Sequence, residues 1–283
     1  MRIGLIGNGF VGQATKILKC PEVSFLVYDI RPEMCEPKGT TLEEICWLCD
    51  IIFISVPTPM RKDGSCCLDI VESVVENISK FLDFNKAFVV LRSTVPVGTS
   101  QRLNCYFMPE FLTERNFKED FRNNEKWIFG TKNTEQDVGF KNRITQLITY
   151  AHNSNKITHN AMYFMSNAEA EMVKMFRNTY LATKVSFCNE VYQFCKHKDI
   201  EYEAVRKIAA SDKRIGFSHT RVPGPDGHFG YGGTCFPKDT NSFLYEMQKE
   251  KLPSYILKAV VERNEQLDRK EKDWCDDTGR AVV

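Results

Sequence analysis

The feature that most restricts how this chain can fold is a glycine run set directly behind a short apolar stretch. Ile3-Gly4-Leu5-Ile6 reads as a strand, and Gly7-Asn8-Gly9-Phe10-Val11-Gly12 follows it with no residue between. A G-x-G-x-x-G run means little alone, since glycines recur in any turn. Between a strand and a helix-compatible segment it opens a βαβ dinucleotide-binding unit. In that setting Gly7 permits the tight turn, Gly9 lets the backbone approach a pyrophosphate, and Gly12 lets helix and strand pack closely. The phosphates then sit at the positive helix N-terminus. The next apolar run, Val23–Tyr28, leads into Asp29, seventeen residues after Gly12. A carboxylate there accepts hydrogen bonds from the ribose hydroxyls and repels a 2′-phosphate, so NAD is expected rather than NADP. Arg31 argues the other way, because an arginine can hold that phosphate; its alternative role is a solvated side chain beside the adenine.

The same alternation continues. Ile51–Val56 and Ala87–Leu91 are apolar runs, Cys105–Met108 and Trp127–Phe129 are weaker ones, and polar helix-like segments separate them. That pattern predicts an α/β fold, a mostly parallel Rossmann-type sheet with crossover helices. Beyond about Ala168 the character changes. Ala168–Lys198 lacks Gly and Pro and carries Met172, Phe176, Tyr180, Thr183, Phe187 and Val191 at helical spacing. Glu201–Ser211 and Tyr255–Lys272 read as further helices around a Gly/Pro-rich loop, Pro223–Pro237. The division expected is residues 1–160 as the NAD-binding domain and residues 161–283 as a helical central domain for dimerisation. With 38 basic against 37 acidic side chains, nothing points to nucleic acid as a partner. No apolar run is long enough to span a bilayer. Met1 leads straight into the first strand, which leaves no room for a signal peptide, so a cytoplasmic protein is expected. Eleven cysteines are an odd number for a disulfide framework and are read as reduced thiols. Cys46 and Cys49 have CxxC spacing but no convincing second ligand pair, so no metal site is expected.

The second half holds the segment richest in chemistry, Gly230-Tyr231-Gly232-Gly233-Thr234-Cys235-Phe236-Pro237-Lys238-Asp239. Its glycines allow close backbone approach, and Pro237 suits the first turn of a helix. Cys235 would then stand just before a helix N-terminus, where the macrodipole favours a thiolate. A buried cysteine near a turn is the plainer reading for a cysteine taken at random, but the flanking glycines and the Lys238-Asp239 pair weaken it here. Glu171, Lys174 and Asn178 share one stripe of the long helix. That spacing suits a surface ion pair as well as an active site.

These residues resemble the UDP-glucose 6-dehydrogenases and related nucleotide-sugar dehydrogenases. The likeness runs in order through Gly7–Gly12, Ser55–Pro59, Ser93–Thr99, Pro109–Leu112 with Glu114, Glu171–Lys174 with Asn178, Asn189-Glu190, Arg214–Gly216 and Gly230–Asp239. It implies a second domain like that of 6-phosphogluconate dehydrogenase. It also implies NAD-dependent oxidation of a sugar C6 alcohol to the carboxylate, with UDP-glucose as the leading substrate. Cys235 would capture the aldehyde as a thiohemiacetal that becomes a thioester. Lys174, beside Asn178, would stabilise oxyanions, while Asp239, Thr94 and Glu110 would arrange water and protons. Cofactor contacts are implied at Gly7, Gly9, Phe10, Val11, Gly12, Asp29 and Arg31, and at Val56, Thr58, Ser93, Thr94 and Glu114. Substrate contacts are implied at Glu110, Phe111, Leu112, Glu114, Lys174, Asn178, Tyr231 and Gly232. Arg214 would reach a neighbouring subunit's substrate, which makes a homodimer the expected assembly.

The chain departs from the family in four places. Val56-Pro57-Thr58-Pro59-Met60 replaces Val-Asn-Thr-Pro-Thr, and Met108 stands where Asn is usual. Val222–Gly227 is inserted in a loop that the family packs on its substrate. The family's third domain, which grips the uridine diphosphate, has no counterpart here, and a separate chain could supply it. Two rivals remain at this stage: a two-electron β-hydroxyacid dehydrogenase, and a non-catalytic protein that binds NAD or a nucleotide sugar.

Overall fold

Two units make up the computed structural model, which describes residues 1–84 and 86–283. The first comprises Met1–Thr58 and Leu68–Lys174. Its elements run β1 (Arg2–Ile6), α1 (Phe10–Thr15), β2 (Ser24–Tyr28), α2 (Leu42–Leu48), β3 (Ile51–Ile54), α3 (Asp69–Ser79) and β4 (Phe88–Leu91). They continue with α4 (Thr99–Arg102), β5 (Tyr106–Phe107), α5 (Phe117–Arg122), β6 (Trp127–Thr131), α6 (Gln136–Asn153) and β7 (Met162–Ser166). The seven strands lie in the order β2-β1-β3-β4-β5-β6-β7. Every pairing is parallel except β5 with β6. Strand periodicity explains the burial. Ile3, Leu5, Ile51, Phe53 and Val90 enter one core cluster, while Ile6, Ile52, Ile54, Val89 and Leu91 enter the other. The sheet is therefore covered on both faces, as crossover helices require. Each fully buried Ile or Phe contributes roughly 1.5–3 kcal/mol.

Local signals agree with this frame. Thr41 and Glu44 form a reciprocal capping box at the head of α2, with bonds of 3.2 and 3.0 Å. The structure adds β7, which the sequence reading left out. Met162-Tyr163-Phe164-Met165-Ser166 has two aromatic strand formers but no β-branched residue and no apolar/polar alternation, so its strand signal is weak. Cys46 and Cys49 are buried in a core cluster.

The second unit comprises Pro59–Cys67 and Met175–Val283. Helix α7 (Asn167–His197) begins in the first unit and supplies the second with most of its length. Three further helices follow: α8 (Tyr202–Ser211), α9 (Phe236–Lys249) and α10 (Tyr255–Arg263). The expected helix Tyr255–Lys272 is shorter than its pattern suggested. It ends at Arg263 and gives way to a π-turn over Asn264–Asp268. Asn264 is wholly buried there, and its amide bonds both the N–H and the C=O of Tyr231, at 2.8 and 2.9 Å. Those long-range bonds account for the break. The last residues fold back on the 59–67 segment, where Met60 N–H donates to Ala281 O at 2.8 Å and Val283 N–H to Met60 O at 3.0 Å. On α7 the apolar stripe divides: Phe176, Tyr180, Phe187 and Phe194 are all more than half exposed within this chain.

Candidate active site

The first unit builds a cradle at the C-terminal ends of β1 and β3, where strand order reverses; ligands bind at such a point in open α/β sheets. Gly7 has φ of +92°, and a side chain on it would strike the Ser55 backbone, whose carbonyl carbon would be 2.9 Å away. Gly12 is as confined, with the Gly7 carbonyl carbon 3.1 Å from where its Cβ would stand. Gly9 faces open space, as a residue must where a ligand backbone approaches. Asn8 Oδ1 is buried and accepts no hydrogen bond among the described residues. An open cradle with an unsatisfied polar atom fits the pyrophosphate and ribose of NAD. Phe10 and Val11 open α1, with the Phe10 ring 6.2 Å from that of Phe117.

Asp29 is buried and holds Asn8 N–H at 2.8 Å and Arg31 N–H at 3.0 Å. Burial alone would push its carboxyl up, but these hydrogen bonds outweigh it and hold the group below its ordinary value. Arg31 Nε also donates to Asp29, at 3.3 Å. The two residues that argued opposite cofactor choices are therefore bonded to each other. On the neighbouring strand ends, Ser93 Oγ accepts from Val56 N–H at 3.0 Å and donates to Val56 O at 2.6 Å. Thr58 Oγ1 donates to the Thr94 carbonyl at 2.8 Å. Glu114 is exposed between β5 and α5.

Also in the first unit, Lys174 Nζ donates to Glu110 Oε1 and to Glu110 O, both at 2.7 Å, with the two side chains 3% and 6% exposed. The other Glu110 oxygen accepts Leu112 N–H at 2.8 Å, and Lys174 lies 5.8 Å from the centre of the Phe111 ring. Arg92 is buried behind this pair. Burial drops its pKa to about 10, partly offset by the Glu110 charge. Glu171 is fully buried and accepts Gly98 N–H at 2.6 Å and Ser100 N–H at 2.8 Å, which caps α4. Burial raises its pKa against those bonds.

In the second unit, Cys235 is the N-cap of α9, with Pro237 in the first turn. Its thiol is half-buried and 3.7 Å from Thr234 Oγ1, whereas nine of the other cysteines are buried. One turn on, Asp239 is 1% exposed and accepts Asn178 Nδ2 at 2.6 Å and Lys238 Nζ at 2.5 Å. Burial pulls the Lys238 pKa down. The Asp239 carboxylate overrides this and holds the ammonium above its ordinary value. Tyr231 and Gly232 lie on the glycine run that leads to Cys235. Arg214 is 89% exposed in its side chain and forks onto Asp212 with bonds of 3.0 and 2.5 Å.

The surface-pair reading of Glu171, Lys174 and Asn178 is overturned. All three are buried, and they turn to Ser100, Glu110 and Asp239 rather than to one another. Sequence reasoning passed over Arg92, and it noticed Lys238 only as half of a Lys-Asp pair, with no role given to it. Arg92 had a readable signal: it is a cation placed at the very end of an otherwise apolar strand run. Among the described residues no group of three His, Cys, Asp or Glu side chains could hold a metal, and no helix is long and apolar enough to cross a membrane.

Two profiles of one family match this chain. "UDP-glucose/GDP-mannose dehydrogenase family, NAD binding domain" covers residues 38–152, and the same family's "central domain" covers residues 168–266. The UDP-glucose 6-dehydrogenase of Pseudomonas aeruginosa is 33% identical in an alignment of 232 positions that covers 76% of this chain and 48% of that protein. The chain thus spans about half the length of curated relatives such as this one. A UDP-glucose dehydrogenase structure from Pyrobaculum islandicum superposes with a TM-score of 0.78 at 26% identity, over 93% of this chain and 68% of that one. A 3-hydroxyisobutyrate dehydrogenase from Mycobacterium tuberculosis superposes with a TM-score of 0.71 at 12% identity, over 96% and 95% of the two chains, a likeness of fold alone.

Proposed function

The chain belongs to the UDP-glucose/GDP-mannose dehydrogenase family, and from that premise we propose that it carries the cofactor-binding and catalytic parts of a nucleotide-sugar 6-dehydrogenase acting on UDP-glucose. The observation that carries the reading is the setting of Cys235. It is a half-buried thiol at the head of α9, with Asp239 one turn behind it fixed by Asn178 and Lys238. When bound, NAD accepts hydride from the sugar's C6, once in each of two oxidations.

Between the oxidations the Cys235 thiolate adds to the C6 aldehyde, forming a C–S bond, and the oxygen takes a proton to give the thiohemiacetal. Loss of that proton and a hydride leaves a thioester on Cys235. Water then adds to the carbonyl, the C–S bond breaks, the thiolate departs and the carboxylate remains. Lys174, held by Glu110, supplies positive charge to oxyanionic intermediates. Asp239 orients the water, and Thr94 and Glu110 serve the proton steps. The substrate contacts are assigned to Phe111, Leu112, Glu114, Tyr231 and Gly232. Grip on the uridine diphosphate is assigned to a separate chain.

We assign the exposed aromatic stripe of α7 to a homodimer interface, with Arg214 serving the partner's site and Arg31 left beside the adenine. Aromatic surface of this extent is what subunit interfaces bury. The sequence also leaves open a second reading, two-electron oxidation of a β-hydroxyacid. That chemistry has no use for the Cys235 arrangement. A panel of nucleotide sugars and β-hydroxyacids separates the two: NADH from UDP-glucose supports the first, and NADH from hydroxyacids alone supports the second.

A further inference from the structure

Arg269 is charged, 3% exposed and outside every motif read from the sequence. Its Nε and Nη2 donate to the two oxygens of Asp273 at 3.0 and 2.7 Å, while Nη1 donates to Asp226 at 2.7 Å and to Phe229 O at 3.4 Å. The guanidinium also lies flat against the glycine run before Cys235. A Cβ built on Gly232 would be 2.6 Å from Arg269 Cζ and 2.8 Å from Nε. Three segments thus meet on one side chain: the loop carrying Asp226, the Gly230–Gly233 run and the Asp273 turn. The run is also held by Asn264, which bonds Tyr231, and by Asn189, which accepts Gly230 N–H at 3.2 Å.

We propose that Arg269 is a positioning residue that sets the path of Gly230–Gly233 and so presents the Cys235 thiol. The inference rests on Cys235 being the reactive group of the proposed function. Only a planar fork with five donors can engage both carboxylates and still pack as a plate against a glycine; a lysine ammonium cannot. The two carboxylates keep 45% and 42% of their side-chain surface exposed, so water takes them up when the arginine is removed. The main loss is then loop geometry rather than a stranded buried charge. Gly232 and Arg269 are matched for the same reason, since any side chain at 232 displaces the guanidinium.

The test reads Cys235 directly, without turnover. The 283-residue wild type, Arg269→Lys and Asp226→Asn are treated with iodoacetamide, and alkylation at each cysteine is followed by peptide mass spectrometry. Buried Cys188 and Cys195 in the same unit report unfolding. In folded Arg269→Lys, Cys235 is expected to react slower by about fivefold or more, with Asp226→Asn shifted the same way by less. Gly232→Ala is expected to lower Tm less in the Arg269→Lys background than alone. A Cys235 rate in folded Arg269→Lys equal to or faster than wild type overturns the proposal, whatever happens to Tm. If Arg269→Lys exposes Cys188, Asp226→Asn decides by the same criterion. Because alkylation needs neither cofactor nor sugar, its result stands apart from any failure of the dehydrogenase assay.

Discussion

Replacing Lys174 with Met tests whether burial, rather than contact distance, sets the worth of an ion pair here. Methionine keeps the apolar stem and strands the Glu110 carboxylate, which is 6% exposed and loses its 2.7 Å bond at Oε1, while the Glu110 backbone carbonyl loses a second bond of 2.7 Å. Removing one partner of such a buried pair costs roughly 3–5 kcal/mol. The Leu112 N–H at 2.8 Å and the nearby Arg92 charge remain to serve the carboxylate, which places the expected loss near the lower end, about 3 kcal/mol. For a unit of this size that lowers the unfolding midpoint by roughly 6–12 °C. Arg102→Met is the control. Its bond to Glu72 is shorter, at 2.6 Å, but the side chains are 55% and 41% exposed. Its loss should be below about 1 kcal/mol. Urea and thermal unfolding followed by circular dichroism read both variants. A loss for Lys174→Met no larger than that for Arg102→Met refutes the reasoning.

Two further predictions concern the cofactor and the assembly. NAD should bind better than NADP, and Asp29→Ser should narrow the gap in a fluorescence titration; equal binding by the wild type would show that Arg31 dominates. Because folding lowers the Asp29 pKa, its stabilisation is complete above the ordinary value of 3.8 and is lost as pH falls through the folded value. Asp29→Asn should therefore flatten the acid limb of a stability–pH curve, and an unchanged limb would contradict this. For the dimer, mixing inactive Arg214→Ala with inactive Cys235→Ala should restore partial turnover, and Phe187→Glu should shift the sedimentation profile to monomer. A wild type that is fully active as a monomer would end that reading.

The strands that form the cradle were legible because β1, β3 and β4 are buried on both faces and read as unbroken apolar runs between turn residues. The glycines were legible because local backbone geometry demands them. Partners far away in the chain were not. The carboxyl of Glu171 meets backbone N–H groups at Gly98 and Ser100, and nothing in an i, i+3, i+4 stripe separates that role from a surface pair. Arg269 was hidden for the same reason, since its carboxylates and its glycine come together only in the folded unit. The end of α10 at Arg263 follows from Asn264 reaching back to Tyr231, a competition that helical periodicity cannot register. Even the exposed aromatic stripe of α7 has the spacing of a core face. Its exposure shows only once the rest of its unit is in place.

The central claim is that Cys235 carries a four-electron oxidation, and counting NADH against sugar tests it most directly. Purified chain, given NAD in excess and a limiting amount of UDP-glucose, should release two NADH for each sugar consumed. Folded Cys235→Ser should retain NAD binding and lose nearly all steady-state turnover, because a hydroxyl gives up its proton far less readily than a thiol. One NADH per sugar, or near-normal turnover by Cys235→Ser, would contradict the account.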